Sequence, residues 1–229
     1  MTGSRCINVT IRSSAYPLHA QKPIMASCTN SSALYSALSA AVVLPRPIPN
    51  SYWATPFLLA CEFPWDPKEQ YSPKIDALLK EGVRTFIDLT ERGELQPYEE
   101  VLGQRATRQG IDPSSIEYHC FPIRDRCLPG SLQLVLQVMD VLEDNERRGR
   151  IAAIHCRGGV GRTGTLVGCW LVHSHIAKDG REALSIVDAL WKTVPKSKRI
   201  SHSPETGAQY DFVLKFKRTD SSCTVAPVA

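Results

Sequence analysis

Acidic side chains are missing from the amino-terminal part of this 229-residue chain, where the first aspartate or glutamate is Glu62. The same stretch holds four scattered basic residues and many serines and alanines. A sparsely basic, serine-rich and acid-free leader is typical of organelle transit peptides, which are imported unfolded. A disordered leader without a targeting role has the same composition. Both interpretations therefore stay open for residues 1–50.

Long apolar runs are also missing, since none approaches the roughly 20 residues that span a bilayer. The chain is therefore predicted to have no membrane span. Its net charge is only +4, from 27 basic and 23 acidic residues. Such a mild excess favours phosphate-bearing ligands but falls short of the charge typical of nucleic-acid-binding proteins. We expect no nucleic-acid partner.

The eight cysteines show no paired spacing, and the C-x-x-C pattern is absent. Neither a disulfide framework nor a zinc site is therefore indicated, and we predict no metal and no cofactor. Reduced thiols point to an intracellular compartment. This is the cytoplasm or, if the leader is a transit peptide, a chloroplast or mitochondrion.

Three alternating prolines, Pro45, Pro47 and Pro49, end the leader. They predict a folded domain over residues 51–218 and a flexible tail over 219–229. Strands and helices alternate within the domain, which predicts an α/β fold with a central, mostly parallel sheet and helices on both faces. The predicted strands cover Trp53–Cys61, Val83–Leu89, Ile116–Ile123 and Arg150–His155. The first predicted helix starts at Ser72-Pro73 and is ended by Gly82. Five further helices are predicted over Pro97–Gln109, Ser131–Arg148, Arg162–Lys178, Arg181–Val194 and Glu205–Lys217.

One glycine-rich segment, Ile154–Gly164, carries the chemistry. A short buried strand runs into a loop, and the loop opens a helix, where successive amide groups can form a nest for an anion. Cys156 opens this loop and Arg162 closes it, so the two side chains can meet one phosphate from opposite sides. A helix amino terminus and a nearby cation favour the thiolate form, which is the nucleophile. The hydroxyl of Thr163 is placed to hydrogen-bond the sulfur.

The loop sequence has two other interpretations. Gly159, Gly161 and Gly164 match the G-x-G-x-x-G pattern of dinucleotide folds, with Asp179 as the ribose contact. That fold needs further strands downstream, whereas only helices are predicted after Gly164, and it gives Cys156 no role. A structural cysteine in a glycine turn is the second interpretation, but it does not explain the complete His-Cys-x5-Arg-Thr-Gly pattern.

This pattern resembles the signature of the protein tyrosine phosphatases, His-Cys-x5-Arg-Ser/Thr, and the domain is most similar to the small dual-specificity type. The resemblance implies a phosphatase-type fold, a thiolate nucleophile at Cys156, transition-state binding by Arg162 and no metal. His155 and Thr163 match the catalytic signature as well. The remaining loop positions would bind the phosphate of the substrate, and they are Arg157, Gly158, Gly159, Val160 and Gly161.

The reaction also needs a proton donor for the leaving oxygen. Asp125 is the best candidate, since it follows a predicted strand and its segment resembles the mobile acid loop of the family, Asp-x-x-x-Pro. The competing interpretation is an aspartate that caps the helix near Ser131. Asp112 and Asp140 are poorer candidates, because one precedes a strand and the other lies on a helix.

The late segment around Gln209 resembles the family's helix in which a glutamine orients the hydrolytic water, although a helical glutamine is more often solvated. Four basic residues near the end of the domain could attract phosphorylated substrates, but a solvated loop is the preferred interpretation. These residues are Lys192, Lys196, Lys198 and Arg199.

The substrate class is predicted from the basic residues of the loop. Arg157 is the only basic residue among the five positions between Cys156 and Arg162, whereas lipid-phosphate relatives tend to have lysines there. The loop that selects phosphotyrosine in the larger family members has no counterpart. We therefore expect a phosphorylated protein substrate, with phosphotyrosine and phosphoserine or phosphothreonine accepted. A small-molecule or lipid phosphatase and a phosphopeptide-binding pseudophosphatase remain alternatives.

Overall fold

The computed structural model of the chain describes residues 45–69, 71 and 73–218. The predictions for the leader and the tail therefore lie largely outside the described residues. Within them, five strands form one sheet in the order β1-β2-β5-β3-β4. The strands are β1 Ser51–Thr55, β2 Leu58–Cys61, β3 Val83–Asp88, β4 Glu117–Cys120 and β5 Ile151–His155.

Six α-helices accompany these strands in the described residues. They are α1 Lys74–Lys80, α2 Glu99–Arg108, α3 Leu132–Arg147, α4 Gly161–His173, α5 Gly180–Lys192 and α6 Gly207–Lys215. Only β1 runs antiparallel to its neighbour, and β2, β5, β3 and β4 are mutually parallel. The predicted mostly parallel α/β fold is confirmed.

The sheet buries both faces, as predicted. Alternate strand residues such as Leu59, Phe86 and Ala153 pack against α1 and α2. Their neighbours in sequence, including Leu58, Ile87, Ala152 and Ile154, pack against α3, α4, α5 and α6. The central strand β5 is buried along almost its whole length, which explains its short apolar sequence.

The prediction of one strand over Trp53–Cys61 was wrong. The chain reverses at Pro56 and Phe57, so that β1 and β2 form an antiparallel hairpin. Proline has no N–H to donate to a sheet ladder, which explains the break at this point. The amide of Phe57 instead donates to the Thr55 hydroxyl across 3.2 Å.

Helix ends also differ from the predictions. Helix α1 begins at Lys74, with Pro73 as an extended N-cap rather than the first helical residue. The helix predicted to continue to Lys178 ends at His173, because His175 adopts a left-handed conformation with φ of 60°. After α4 the described chain forms only helices and turns. The further strands required by a dinucleotide fold are therefore missing from that part.

Candidate active site

The carboxyl ends of the four parallel strands meet at one edge of the sheet, where open α/β folds bind their ligands. His155, the last residue of β5, pairs in register with Cys61 of β2 and with Asp88 of β3. Asp88 pairs in turn with Cys120 at the end of β4. The segments that leave these strands therefore surround the loop that begins at Cys156.

The backbone of this loop is held from outside. Three of its carbonyl oxygens accept hydrogen bonds from groups that lie beyond the loop. These bonds are Phe63 N to Arg157 O at 3.2 Å, Lys196 Nζ to Gly158 O at 3.1 Å and Ser203 Oγ to Val160 O at 2.9 Å. In a trans peptide the next N–H points opposite to the carbonyl. The amide groups of Gly158, Gly159 and Gly161 therefore face the interior of the loop.

At two positions of the loop, neighbouring atoms lie so close that only glycine fits. Gly159 has a φ of +73°, and a Cβ at this position would lie 2.7 Å from the carbonyl carbon of Cys61. A Cβ at Gly161 would lie 2.8 Å from Oε1 of Gln209. Since real Cβ atoms do not approach other atoms so closely, a side chain at Gly159 would displace the loop from the backbone at the end of β2, and one at Gly161 would displace the Gln209 side chain.

Cys156 is 3% exposed and opens the loop that leads into α4, five positions before the first helical residue, Gly161. The N-cap residue Val160 supplies no side-chain bond to that turn, so its amide groups stay available to an anion. The predicted bond from Thr163 to the sulfur is absent. The Thr163 hydroxyl is buried without a hydrogen-bond partner in the described structure.

Burial keeps two neighbouring cysteines in the thiol form. Desolvation raises the pKa of Cys61, and the charges of Glu62 and of a Cys156 thiolate raise it further. Desolvation likewise raises the pKa of Cys169. Both thiols are therefore poor nucleophiles at neutral pH. Cys156, in contrast, lies in the loop that leads into α4.

Arg162 is almost fully buried, at 1% exposure, and its guanidinium is fixed by acidic and carbonyl oxygens. Glu94 accepts from both terminal nitrogens, each at 2.7 Å. Nη2 also donates to Oδ1 of Asp125 at 2.8 Å, and Nη1 donates to the carbonyl of Ile123 at 2.8 Å. Nε is buried and has no partner among the described residues. This nitrogen remains free for an anion in the loop.

Glu94 was not found by sequence reasoning. It lies in the segment after β3, and nothing in its local sequence marks it as a ligand of Arg162. Hydrogen bonds from Arg162 lower the pKa of Glu94 and outweigh the effect of burial. Glu94 is therefore a carboxylate at neutral pH, and it fixes the plane of the guanidinium.

Asp125 lies beside Arg162, and its side chain is 50% exposed. It does not cap the next helix, because the hydroxyl of Ser131 accepts from the Leu134 amide at the start of α3. The poorer candidates are elsewhere. Asp112 caps a short 3-10 turn at Pro113–Ser115, and Asp140 is exposed on α3. Of the three aspartates, only Asp125 contacts the loop residues.

His155 is fully buried behind the loop and joined to a tyrosine. Its Nε2 lies 2.5 Å from the hydroxyl of Tyr98, and its Nδ1 lies 3.8 Å from Asp88. Desolvation lowers the pKa of His155, and the charge of Arg162 lowers it further against the attraction of Asp88. Burial also raises the pKa of Tyr98 well above its ordinary value. The neutral imidazole and the neutral phenol therefore share a buried hydrogen bond, whose direction depends on the histidine tautomer.

Replacing Tyr98 by phenylalanine is expected to lower the free energy of unfolding by about 1–3 kcal/mol, because the buried Nε2 of His155 loses its hydrogen-bond partner. Chemical denaturation at neutral pH measures this change. The matched control is Tyr210→Phe, since Tyr210 is 45% exposed, and it should change the free energy by less than about 0.5 kcal/mol. Equal effects of the two substitutions would contradict the assignment.

Gln209 is fully buried, and its solvated interpretation was wrong. Its Oε1 accepts from the Thr206 amide in a capping box at the start of α6, and its Nε2 donates to the Cys127 carbonyl at 3.0 Å. Gln209 therefore links α6 to the segment that carries Asp125. The solvated interpretation of Lys196 was also wrong, since Lys196 contacts the loop at Gly158.

Metal-ligand clusters of three or more side chains do not occur in the described ranges. None of the described helices is long and apolar enough to cross a membrane.

The chain is similar to known phosphatases. The mouse protein tyrosine phosphatase domain-containing protein 1 is 29% identical over 126 residues, which cover 53% of this chain and 17% of the mouse protein. The phosphatidylglycerophosphate phosphatase PTPMT1 of Arabidopsis thaliana is 28% identical over 126 residues, covering 51% of this chain and 35% of that protein. The chain thus spans well under half of either relative.

Among solved structures, Tk-PTP in its active form shares the fold with a TM-score of 0.55 and 24% sequence identity. The match covers 72% of this chain and 94% of Tk-PTP. A family model matches residues 49–210, and its description is "Swiss Army Knife protein, DSP-PTPase phosphatase domain". The chain belongs to this PTP-SAK family, and is thus a cysteine-based phosphatase of the protein tyrosine and dual-specificity phosphatase superfamily.

Proposed function

We propose that this chain hydrolyses phosphotyrosine and also phosphoserine and phosphothreonine esters in proteins, through a phosphate bound covalently to Cys156. The observation that best supports this proposal is the arrangement of the loop from Cys156 to Arg162. Its carbonyls at Gly158 and Val160 are bound from outside the loop, the Nε of Arg162 has no partner among the described residues, and a Cys156 thiolate lies near enough to interact with the Arg162 charge. These are the donors and the nucleophile that a phosphoryl group needs.

When substrate binds, Arg162 exchanges its hydrogen bond to Asp125 for hydrogen bonds to the phosphate. A phosphate in the loop would accept from Nε and from Nη2, the planar pair of donors that matches two phosphoryl oxygens. Nη2 now donates to Asp125 and Glu94. Glu94 can retain its bond from Nη1, whereas Asp125 is displaced from Nη2 and turned toward the leaving oxygen.

The chemical steps follow from this arrangement. The Cys156 thiolate attacks phosphorus, an S–P bond forms, and the bond from phosphorus to the ester oxygen breaks. Asp125 gives its proton to the departing oxygen. Water then attacks phosphorus, Asp125 takes a proton from it, and the S–P bond breaks to return the thiolate and release inorganic phosphate. The loop amides and Arg162 stabilise the charge on the equatorial oxygens in both steps.

A protein substrate is supported by the openness of the site rim. Asp125 is half exposed, and Arg157 is exposed at the second position of the loop. An exposed acid on an open rim admits the short side chain of phosphoserine as well as the longer phosphotyrosine. Arg157 is the single basic residue between Cys156 and Arg162, so the loop offers little to bind a second phosphate.

A lipid phosphate is the second candidate. Arg124, Arg126 and Arg157 are all exposed in the segments that form the site, and a cationic rim suits an anionic membrane surface. The similarity to the Arabidopsis phosphatidylglycerophosphate phosphatase supports the same candidate. Arg126 is, however, already ion-paired with Glu205, which lowers the charge available to a lipid headgroup.

A substrate panel tests the proposal. The purified full chain is assayed in EDTA against a phosphotyrosyl peptide, a phosphoseryl peptide and phosphatidylglycerophosphate in vesicles. We expect kcat/KM for the phosphotyrosyl peptide to exceed that for the lipid at least about tenfold, a difference of about 1.4 kcal/mol in transition-state binding. The reverse order would favour the lipid candidate. Turnover of none of the three would contradict the proposed function.

A further inference from the structure

The carbonyl of the peptide between Gly158 and Gly159 accepts a hydrogen bond from a lysine 38 residues away in the sequence. Lys196 lies in the turn Pro195–Lys198 after α5, and its Nζ donates to the Gly158 carbonyl at 3.1 Å. The same Nζ lies 2.6 Å from Oε2 of Glu62, which follows β2. The Lys196 side chain is only 18% exposed. Such a partly buried ammonium, bound on two sides, is a fixed donor rather than a solvated charge.

Glu62 is itself fixed. Its Oε1 lies 2.8 Å from Nζ of Lys74, its Oε2 accepts from Nδ2 of Asn50 at 2.9 Å, and its side chain is 11% exposed. Burial alone would raise the pKa of Glu62, but hydrogen bonds from Lys196 and Lys74 outweigh it and hold the pKa below its ordinary value. The carboxylate therefore stays charged at neutral pH and holds the Lys196 ammonium in place.

The conformation of Gly159 makes this anchor consequential. Its φ of +73° lies in the left-handed region, which glycine leaves for other conformations at little cost. The peptide that precedes it can therefore rotate unless its carbonyl is held. Rotation would turn the Gly159 N–H away from the interior of the loop and remove one phosphate donor.

We propose that Lys196 is a positioning residue, anchored by Glu62, that holds the Gly158 carbonyl outward so that the Gly159 N–H faces the phosphate. This inference deepens the proposed function and rests on it. In this role Lys196 acts on the phosphate through the Gly158–Gly159 peptide plane rather than by direct contact. The backbone of Cys61, which crowds Gly159, supports the loop from the same side.

A simple electrostatic role for Lys196 gives a different expectation. If the lysine acted only by its positive charge, removal of the Glu62 charge would make the site more positive, and phosphate would bind more tightly. If Lys196 acts by position, Glu62→Gln loosens its anchor, and phosphate binds more weakly. The two accounts therefore predict opposite signs for one nearly isosteric substitution.

The experiment measures inorganic phosphate binding in the full chain. Phosphate is titrated calorimetrically into protein with Cys156→Ser, and its inhibition constant is measured against an aryl phosphate with Cys156 intact. We expect Lys196→Met to weaken phosphate binding about tenfold, the equivalent of one hydrogen bond to a charged group. Glu62→Gln should weaken it about three- to tenfold. Lys198→Met removes an equal charge from an exposed position on the same turn, and it should change binding less than about twofold at physiological salt.

Thermal unfolding of each variant checks that the fold is retained, and the near-isosteric Glu62→Gln keeps the test valid if Lys196→Met does not fold. Unchanged or tighter phosphate binding in Glu62→Gln overturns the proposal, as do equal effects of Lys196→Met and Lys198→Met. A chain that neither binds phosphate nor hydrolyses esters removes the proposed function as well. Phosphate binding and turnover that stay normal in both variants remove only the role of Lys196.

Discussion

Replacing Cys156 by serine is expected to reduce hydrolysis of an aryl phosphate by about 10⁶-fold, the scale seen when a covalent nucleophile is removed. A serine hydroxyl in this loop has no comparable route to its anion. Among the described side chains, the histidine next to it, His155, has its Nε2 engaged by Tyr98 on the other side of the strand. Steady-state rates on a chromogenic aryl phosphate measure the loss.

Phosphate binding should survive this substitution, because it depends on the loop amides and Arg162 rather than on the sulfur. Competition by inorganic phosphate with a labelled phosphopeptide checks this. Cys120→Ser is the matched control, since Cys120 is exposed at the end of β4 and should leave turnover within about twofold of the unsubstituted chain. A serine variant that keeps more than a trace of activity would contradict the covalent mechanism.

The loop could be predicted from the sequence because all of its determinants are local. The strand, the glycines and the first turn of α4 lie within eleven consecutive residues, Ile154–Gly164. Their spacing alone predicts that Cys156 and Arg162 share one anion site. The alternation of strands and helices similarly predicted the sheet and its two covered faces, since burial of both faces leaves a continuous apolar pattern in the strands.

The supports of the loop could not be predicted in the same way. Glu94 and Arg162 are 68 residues apart, and Lys196 and Glu62 are 134 residues apart. Glu94 and Arg162 meet because the segments that follow β3 and β5, two neighbouring parallel strands, leave the sheet at the same edge, whereas Lys196 reaches Glu62 from the turn after α5. A single charged residue in a loop has no local signal that separates an ion pair from a solvated side chain, and Lys196 was misjudged for this reason.

Buried polar groups illustrate the same limit. Gln209 lies on a short helix with little apolar pattern of its own, and its burial comes from contact with Gly161 across the site. The tyrosine that contacts His155, Tyr98, precedes α2 on the opposite side of the sheet. In both cases the local sequence predicts an ordinary helix end, and only the tertiary structure supplies the partner.

Replacing Asp125 by alanine is expected to lower turnover of a phosphotyrosyl peptide by about 10²-fold or more, the usual contribution of a positioned general acid. The KM should change little, because Arg162 keeps its bonds to Glu94 and to the Ile123 carbonyl. Asp125→Asn is the sharper variant. Its amide oxygen can still accept from Arg162 Nη2, but it has no acidic proton to donate, so its rate should fall as far as that of the alanine variant.

The dependence on leaving group separates acid catalysis from structural support. Esters of strongly acidic phenols need little protonation to depart, so the loss in Asp125→Ala should shrink as the leaving group becomes more acidic. The basic limb of the pH–rate profile should flatten, because it reports the group that must be protonated, whereas the acidic limb should remain. Asp112→Ala removes a carboxylate that caps a 3-10 turn, and it should leave all these rates nearly unchanged. If the rate loss in Asp125→Ala were the same for every leaving group, or if Asp125→Asn restored the rate, Asp125 would act by holding Arg162, and the proton donor would be another residue.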